Sequence, residues 1–138
     1  MGILPRENIV TIAVADLERS LHFYRDGLGV SAEAFRLADD HIAIELQPGL
    51  SLVLFPRQEL AKLAGQETQP KRSREVILSY PAESAAEVDQ ILERAEAAGA
   101  TIPSPPSEKP WGYCRYFVDP DGHLWELLGD SGFASDRR

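Results

Sequence analysis

The sequence predicts an α+β fold made of two tandem βαβββ modules, residues 1–66 and 67–138, within one structural domain. Three observations carry this prediction. The order strand, helix, three strands runs through the chain twice, a polar stretch at 65–73 lacks hydrophobic periodicity, and each half has a glycine hairpin turn, at Gly49 and Gly122. One module alone would leave a sheet face uncovered. We therefore expect a curved mixed sheet or open barrel with a central cleft and the helices outside.

The first module opens with a strand rich in β-branched residues at 8–14. Asp16 is placed to cap the helix that follows, in which Leu17, Leu21 and Tyr24 share one face. Glycines at 27 and 29 are expected to end that helix. The remaining elements, in order, are a weak strand at 30–37, hairpin strands at 41–46 and 50–55, and a short helix at 58–63.

The second module begins with a strand predicted at 75–80. Ser84 and Glu87 have the spacing of a capping box, and the helix they start is expected to stop at Gly99. A strand near 100–103 leads into a proline-rich bend. The closing hairpin is then expected from strands at 113–118 and 123–128 around a turn at 119–122.

Composition excludes several classes of protein. The single cysteine, Cys114, excludes an internal disulfide and a cysteine-based zinc site. No apolar run approaches the ~20 residues needed to cross a bilayer, and the N-terminal residues lack a signal-peptide pattern. We therefore expect no membrane partner and a cytoplasmic location.

The balance of charge argues against nucleic-acid binding. The formal net charge is −8 at pH 7, whereas binding to phosphates usually needs a basic face. The one basic cluster, Lys71, Arg72 and Arg74, lies in the predicted linker and is expected to be solvated.

Several segments together resemble the glyoxalase/bleomycin-resistance/extradiol-dioxygenase (vicinal oxygen chelate) superfamily. The opening strand and helix, with Leu28-Gly29, are similar to the start of that fold. The segment 95–100 is similar to the end of its second helix, and Trp111-Gly112-Tyr113 with 119–127 is similar to its closing hairpin. The resemblance spans about residues 7–128 and implies the fold. It does not imply one chemistry, because the superfamily includes isomerases, epimerases, dioxygenases, thiol transferases and metal-free drug-binding proteins.

The resemblance implies a single divalent metal held by His, Gln or Glu from the first and last strand of each module. Glu126 stands at the family's carboxylate position. The matching position in the first module is Val53, and Ile9 stands where the first-strand histidine usually lies. The first strand of the second module offers Val76, or Glu75 if the register differs by one. Aliphatic side chains cannot coordinate a metal, so we expect no tight metal site; a divalent metal is the alternative.

The histidines do not replace these ligands. His22 lies on a predicted helix, His41 opens a strand, and His123 has the opposite strand parity from Glu126. Surface or turn roles are expected for all three.

Strand alternation predicts which side chains face the ligand. Ile9, Thr11 and Ala13 are expected to point inward, while Val10, Ile12 and Val14 pack on the helix. Tyr80 is a further candidate for the inner face, and Cys114 is interpreted as a pocket wall because no base is near it. The predicted ligand-binding residues are Thr11, Val53, Phe55, Trp111, Cys114, Tyr116, Leu124 and Glu126.

Three functions remain open at this point. The first is a metal-free protein that binds a small organic ligand, similar to the bleomycin-resistance branch. The second is an enzyme, a lyase, isomerase or dioxygenase, that uses Glu126 in an atypical metal site or alone as a general base. The third is an interaction module with an empty cleft. The resemblance also implies a homodimer, and leaves open whether one chain or two swapped modules form the cleft.

Overall fold

The computed structural model describes residues 7–65, 76–103, 107–109 and 112–129. The chain divides into two compact units, Met1–Pro70 and Lys71–Arg138. Each unit contains one four-stranded sheet and follows the order strand, helix, three strands. The predicted mixed α+β composition with two βαβββ modules is therefore confirmed. Among the described residues, no helix combines the length and the apolar character needed to cross a membrane.

The first unit has a mixed sheet in the order β1-β4-β3-β2, in which β1 runs parallel to β4 and the other pairs are antiparallel. Its elements are β1 (Asn8–Val14), α1 (Leu17–Leu21), β2 (Phe35–Leu37), β3 (Ile42–Gln47), β4 (Leu50–Pro56) and α2 (Arg57–Ala64).

The second unit repeats this topology with a sheet in the order β5-β8-β7-β6, and β5 runs parallel to β8. Its elements are β5 (Ile77–Ala82), α3 (Ala85–Ala97), β6 (Ser107–Lys109), β7 (Gly112–Val118) and β8 (Leu124–Gly129).

Period-two alternation separates the two faces of the first sheet. Ile12 and Val14 in β1 are buried, as predicted, together with Leu52 and Leu54 in β4, whereas Val10, which was predicted to pack with them, is 38% exposed. Phe23 from the helical segment is also buried and packs edge-on against Tyr24, with ring centroids 4.9 Å apart. Each such side chain contributes roughly 1.5–3 kcal/mol to folding when fully buried. The helix-covered face is therefore the structural one, and the face that carries Thr11 is the other.

The first helix begins as predicted and continues differently. The side chain of Asp16 accepts hydrogen bonds from the backbone N–H groups of Glu18 (2.9 Å) and Arg19 (3.2 Å). After Leu21 the chain continues as a π-helix, His22–Gly27, which the hydrophobic pattern does not distinguish from an α-helix.

The second helix has the predicted N-cap residue, but the returning hydrogen bond of the capping box is shifted by one residue. Ser84 Oγ accepts from the backbone N–H of Glu87 at 3.1 Å. The Glu87 carboxylate accepts from the backbone N–H of Glu83 at 2.7 Å, one residue before the cap residue.

Two strand predictions were wrong. The segment 100–103 forms only an isolated bridge between Thr101 and Val118, and the second strand of the second module is instead Ser107–Lys109. The predicted strand at 30–37 is reduced to Phe35–Leu37, because Ala32–Ala34 form a 3-10 turn capped by the Ser31 side chain. The basic cluster at residues 71–74 lies outside the described residues.

Candidate functional site

The candidate site lies on the second sheet, where three strands bring polar side chains into register. Ser79 of β5 is the Cα partner of Glu126 in β8, and Glu126 is the partner of Tyr116 in β7. Residues at equal register project to the same face of a sheet. These three side chains therefore form one row across the sheet.

Glu126 sits in the middle of this row and accepts from both neighbours. The Ser79 hydroxyl donates to Oε1 at 3.0 Å, and the Tyr116 hydroxyl donates to Oε2 at 2.7 Å. Glu126 is half-buried, so part of the carboxylate remains accessible. The two hydroxyls fix the orientation of the carboxylate, because each of its oxygens accepts one of the two hydrogen bonds. Each oxygen also keeps further acceptor capacity.

The environment keeps the Tyr116 hydroxyl protonated. Burial, reinforced by the hydrogen bond and the charge of Glu126, raises the pKa of Tyr116 from 10.0 to about 12. A protonated phenol can only satisfy a carboxylate by donating to it. Tyr116 therefore acts as a constant donor to Glu126 across the neutral pH range.

Apolar side chains surround the row on the same face. We call this surface the Glu126 face; it carries Ile77, Ser79, Pro81, Cys114, Tyr116, Val118, Leu124, Glu126 and Leu128. The predicted common orientation of Cys114, Tyr116, Leu124 and Glu126 agrees with this register. Cys114, Val118 and Leu128 are buried, whereas Ile77 is 51% exposed.

The opposite face of the same sheet packs on α3 and is structural. Phe117 stacks on Trp125 there, with ring centroids 6.0 Å apart. Gly129 lies against the helix, where an added Cβ would approach Val88 Cγ2 to 2.9 Å and Ala85 Cα to 3.0 Å. This packing leaves the Glu126 face as the one that is not covered by α3.

The first unit carries the matching positions with different chemistry. Thr11 of β1 is the Cα partner of Val53 in β4, and Phe55 is the partner of Ala13. Thr11, Val53 and Phe55 therefore share the face opposite the buried Ile12, as expected. Val53 follows Gly49 by the same interval by which Glu126 follows Gly122, so Val53 occupies in this unit the place that Glu126 holds in the other.

Ser79 is the site residue that sequence reasoning missed. The structure places Ser79 opposite Glu126, whereas the predicted Val76 precedes β5 and the alternative Glu75 lies outside the described residues. In the first unit Thr11 lies opposite Val53, and Ile9 lies two residues earlier on the same face of β1. The sequence did contain a signal for Ser79: it precedes the helix N-cap Ser84 by the same interval by which Thr11 precedes the N-cap Asp16, so Thr11 and Ser79 occupy matching positions in the two modules.

The suggestion that Tyr80 reaches the site was wrong. Tyr80 is the register partner of Leu127 and lies on the α3 side of the sheet. Burial, together with the charges of Glu87 and Glu83, raises its pKa. The predicted ligand-binding residue Trp111 lies outside the described residues.

The histidines have the local roles expected of them. His22 Nδ1 lies 3.2 Å from Oδ2 of Asp26 on the π-helix, and His41 Nδ1 lies 2.7 Å from Oδ1 of Asp40. The backbone N–H of His123 donates to Oδ1 of Asp119 at 2.8 Å within the closing hairpin.

Among the described residues, the groups beside Glu126 do not make up the ligand set that a tightly held divalent metal usually has. Such a site usually has three or four protein ligands, most often imidazole, thiolate or carboxylate groups. Within the part of the chain that the structure describes, no three His, Cys, Asp or Glu side chains come together in this way. Among the described residues, the side chains that hydrogen-bond Glu126 are Ser79 and Tyr116, and both donate to it.

Comparison with known families gives a match over most of the chain. The family model described as "Glyoxalase/Bleomycin resistance protein/Dioxygenase superfamily" matches residues 7–127. No curated protein matches the chain at a significant level.

Solved structures are similar over nearly the whole length. A glyoxalase-related enzyme from Fulvimarina pelagi is 29% identical with a TM-score of 0.77, over 90% of this chain and 87% of that one. A glyoxalase/bleomycin resistance protein/dioxygenase from Nocardioides is 28% identical with a TM-score of 0.71, over 92% and 84%. The hypothetical protein SA1046 from S. aureus is 23% identical with a TM-score of 0.80, over 93% and 95%, and indicates the fold alone.

Proposed function

Because the chain belongs to the glyoxalase/bleomycin resistance protein/dioxygenase superfamily, we propose that it binds a small organic ligand on the Glu126 face without a resident metal. The observation that carries this proposal is the pair of hydroxyls on Glu126. The register position that faces the carboxylate holds Ser79, and both carboxylate oxygens accept protein hydrogen bonds.

The character of the surface supports organic ligand binding. Binding sites for small molecules combine apolar surface with a few placed polar groups that set orientation. The Glu126 face has this composition, because aliphatic side chains such as Ile77 and Leu124 flank a fixed carboxylate and a tyrosine ring. Thr11, Val53 and Phe55 are proposed to serve a similar lining role in the first unit.

An enzyme that uses Glu126 remains the alternative function. A general base must reach the proton it removes, and the catalysed step usually needs further groups that stabilise developing charge. Among the described residues, the side chains that hydrogen-bond Glu126 are Ser79 and Tyr116. This set holds the carboxylate in place and adds no cationic group, so the geometry favours binding over catalysis.

A fragment screen on chelator-treated, ¹⁵N-labelled protein tests the proposal. We expect hits among neutral and charged aromatic and aliphatic fragments to shift the amides of Leu124–Gly129 and Gly112–Val118, which form β8 and β7. Glu126→Ala should weaken these hits. The control Glu93→Ala removes an exposed carboxylate from α3 and should leave them unchanged.

Two results would contradict the proposal. One is a screen in which hits map away from β7 and β8. The other is binding at Glu126 that requires added zinc, nickel, manganese or iron(II).

A further inference from the structure

We propose that the ligand of the Glu126 face is an organic cation, with N–H donors on its charged group and a flat or aliphatic body. This inference rests on the proposed function and specifies the chemistry of the molecule that the face binds.

The first argument is that Glu126 has no cationic partner among the described residues. Its hydrogen bonds come from the neutral hydroxyls of Ser79 and Tyr116. The nearest arginine along β7, Arg115, lies on the α3 side of the sheet, where its Nη1 is 3.6 Å from Oδ1 of Asp89. The carboxylate therefore keeps its charge uncompensated within the described part of this face, and a cationic ligand supplies the missing partner.

The second argument is the direction of the hydrogen bonds. The Ser79 and Tyr116 protons are both committed to Glu126. Each carboxylate oxygen retains a further lone pair, so the row offers acceptors to a ligand. A planar group with two N–H donors matches two carboxylate oxygens in a bidentate pair. A ligand carboxylate or phosphate would instead meet the charge of Glu126.

The third argument is the surroundings of the carboxylate. The flanking Ile77, Leu124 and Pro81 side chains are apolar, and the tyrosine ring of Tyr116 stands beside Glu126. An organic cation can place its body on these side chains and its charge on Glu126, aided by attraction to the ring face. The formal net charge of −8 further raises the local concentration of cations over anions.

Three probes of nearly the same shape separate charge from shape: benzamidinium, benzamide and benzoate. Each is titrated into the ¹⁵N-labelled protein, and dissociation constants are taken from the amide shifts of Leu124–Gly129. We expect benzamidinium to bind about tenfold or more tightly than benzamide, because a hydrogen bond to a charged group contributes on that order. Benzoate should bind more weakly than benzamide.

Variants test whether the preference arises at Glu126. Glu126→Gln keeps the side-chain size and should abolish the preference, so that the ratio of the benzamide dissociation constant to the benzamidinium dissociation constant falls from about tenfold or more to about one. The control Asp89→Asn removes the same amount of charge from the α3 side of the sheet and should leave the preference for benzamidinium unchanged.

Each remaining outcome overturns the proposal for a cation. If benzamide or benzoate binds this face as tightly as benzamidinium, the face binds ligands without charge selection, and the proposed function stands while the cation fails. If Glu126→Gln retains the preference, a residue other than Glu126 binds the charged group of benzamidinium. If none of the three probes shifts the β8 amides, the cation is excluded, and the fragment screen decides the proposed function separately.

Discussion

The hydroxyl of Tyr116 lies 2.7 Å from Oε2 of Glu126, and the two residues are direct register partners on β7 and β8. Ser79 holds the other carboxylate oxygen from the strand on the opposite side. Glu126 is thus oriented by two neighbouring strands, and its position depends on side chains as well as on the backbone. This arrangement leads to predictions about titration, ligand affinity and stability.

The Tyr116 titration should depend on Glu126 only in part. Burial is the largest cause of the raised pKa of Tyr116, and the hydrogen bond to Glu126 is the second. Glu126→Gln should therefore lower the pKa of Tyr116 from about 12 without returning it to 10.0. Site-resolved ¹³Cζ tyrosine NMR titration measures this value directly. A pKa unchanged in the variant would show that the hydrogen bond has no effect on the phenol.

The same shift predicts a loss of stability at high pH. Because the folded protein holds the Tyr116 proton at pH values where the unfolded chain loses it, this contribution is fully present below pH 10.0 and is lost as the pH rises through about 12. Tyr80 changes in the same direction. We expect the free energy of unfolding of wild type minus that of Tyr116→Phe to decrease across this interval, as measured by urea denaturation. A constant difference would contradict the assignment.

Asp119 should be important for stability rather than for binding. Its buried carboxylate accepts from the backbone N–H groups of Asp121 at 2.9 Å and His123 at 2.8 Å, which closes the hairpin before β8. Asp119→Ala should lower the free energy of unfolding by about 1–3 kcal/mol, because two partly buried donors lose their acceptor. Asp119→Asn keeps one acceptor oxygen and should cost less in urea denaturation. Equal losses in the two variants would contradict this account.

Gly129 should tolerate no side chain. A Cβ added at this position would lie 2.9 Å from Val88 Cγ2 and 3.0 Å from the backbone of Ala85, so Gly129→Ala forces α3 away from the sheet. The expected loss of unfolding free energy is about 1–3 kcal/mol. The double variant Gly129→Ala with Val88→Ala should lose less unfolding free energy than the sum of the losses in the two single variants, because Val88→Ala removes one of the two clashes. Strict additivity would show that the clash lies with the backbone alone.

Asp89 should contribute more to the free energy of unfolding than an ordinary exposed acidic residue. It accepts from the Tyr113 hydroxyl at 2.8 Å and lies 3.6 Å from Arg115, whose Nε is buried without a partner among the described residues. Asp89→Ala should cost about 1–2 kcal/mol of unfolding free energy, because the arginine loses its counter-charge. Adding Arg115→Met should recover part of that loss. A double variant less stable than Asp89→Ala would contradict the pairing.

The closing hairpin shows what the sequence can predict well. The turn residues Asp119-Pro120-Asp121-Gly122 fix the start of β8, and strict alternation from there sets the face of Leu124 and Glu126. Because turn chemistry anchors register, the orientation of these residues relative to Cys114 and Tyr116 is predictable.

The first strand of the second module shows where prediction fails. The sequence has no turn motif directly before this strand to anchor its register, so it leaves Val76 or Glu75 as the candidate ligand position and offers Tyr80 for the inner face. The structure instead pairs Ser79 with Glu126 and puts Tyr80 on the α3 side of the sheet. The π-helix His22–Gly27 escapes prediction for another reason, since its apolar spacing suits an α-helix equally well. Contacts between strands distant in sequence, such as Ser79 with Glu126, depend on this register and cannot be read from either strand alone.

The most direct test of metal-free binding at Glu126 is calorimetric titration of chelator-treated protein with zinc, nickel, manganese and iron(II), repeated on Glu126→Ala. The hydroxyl donors around Glu126 predict no saturable binding in the micromolar range by either protein. Micromolar or tighter binding by the wild type that vanishes in Glu126→Ala would contradict the account and favour a metal-dependent lyase, isomerase or dioxygenase.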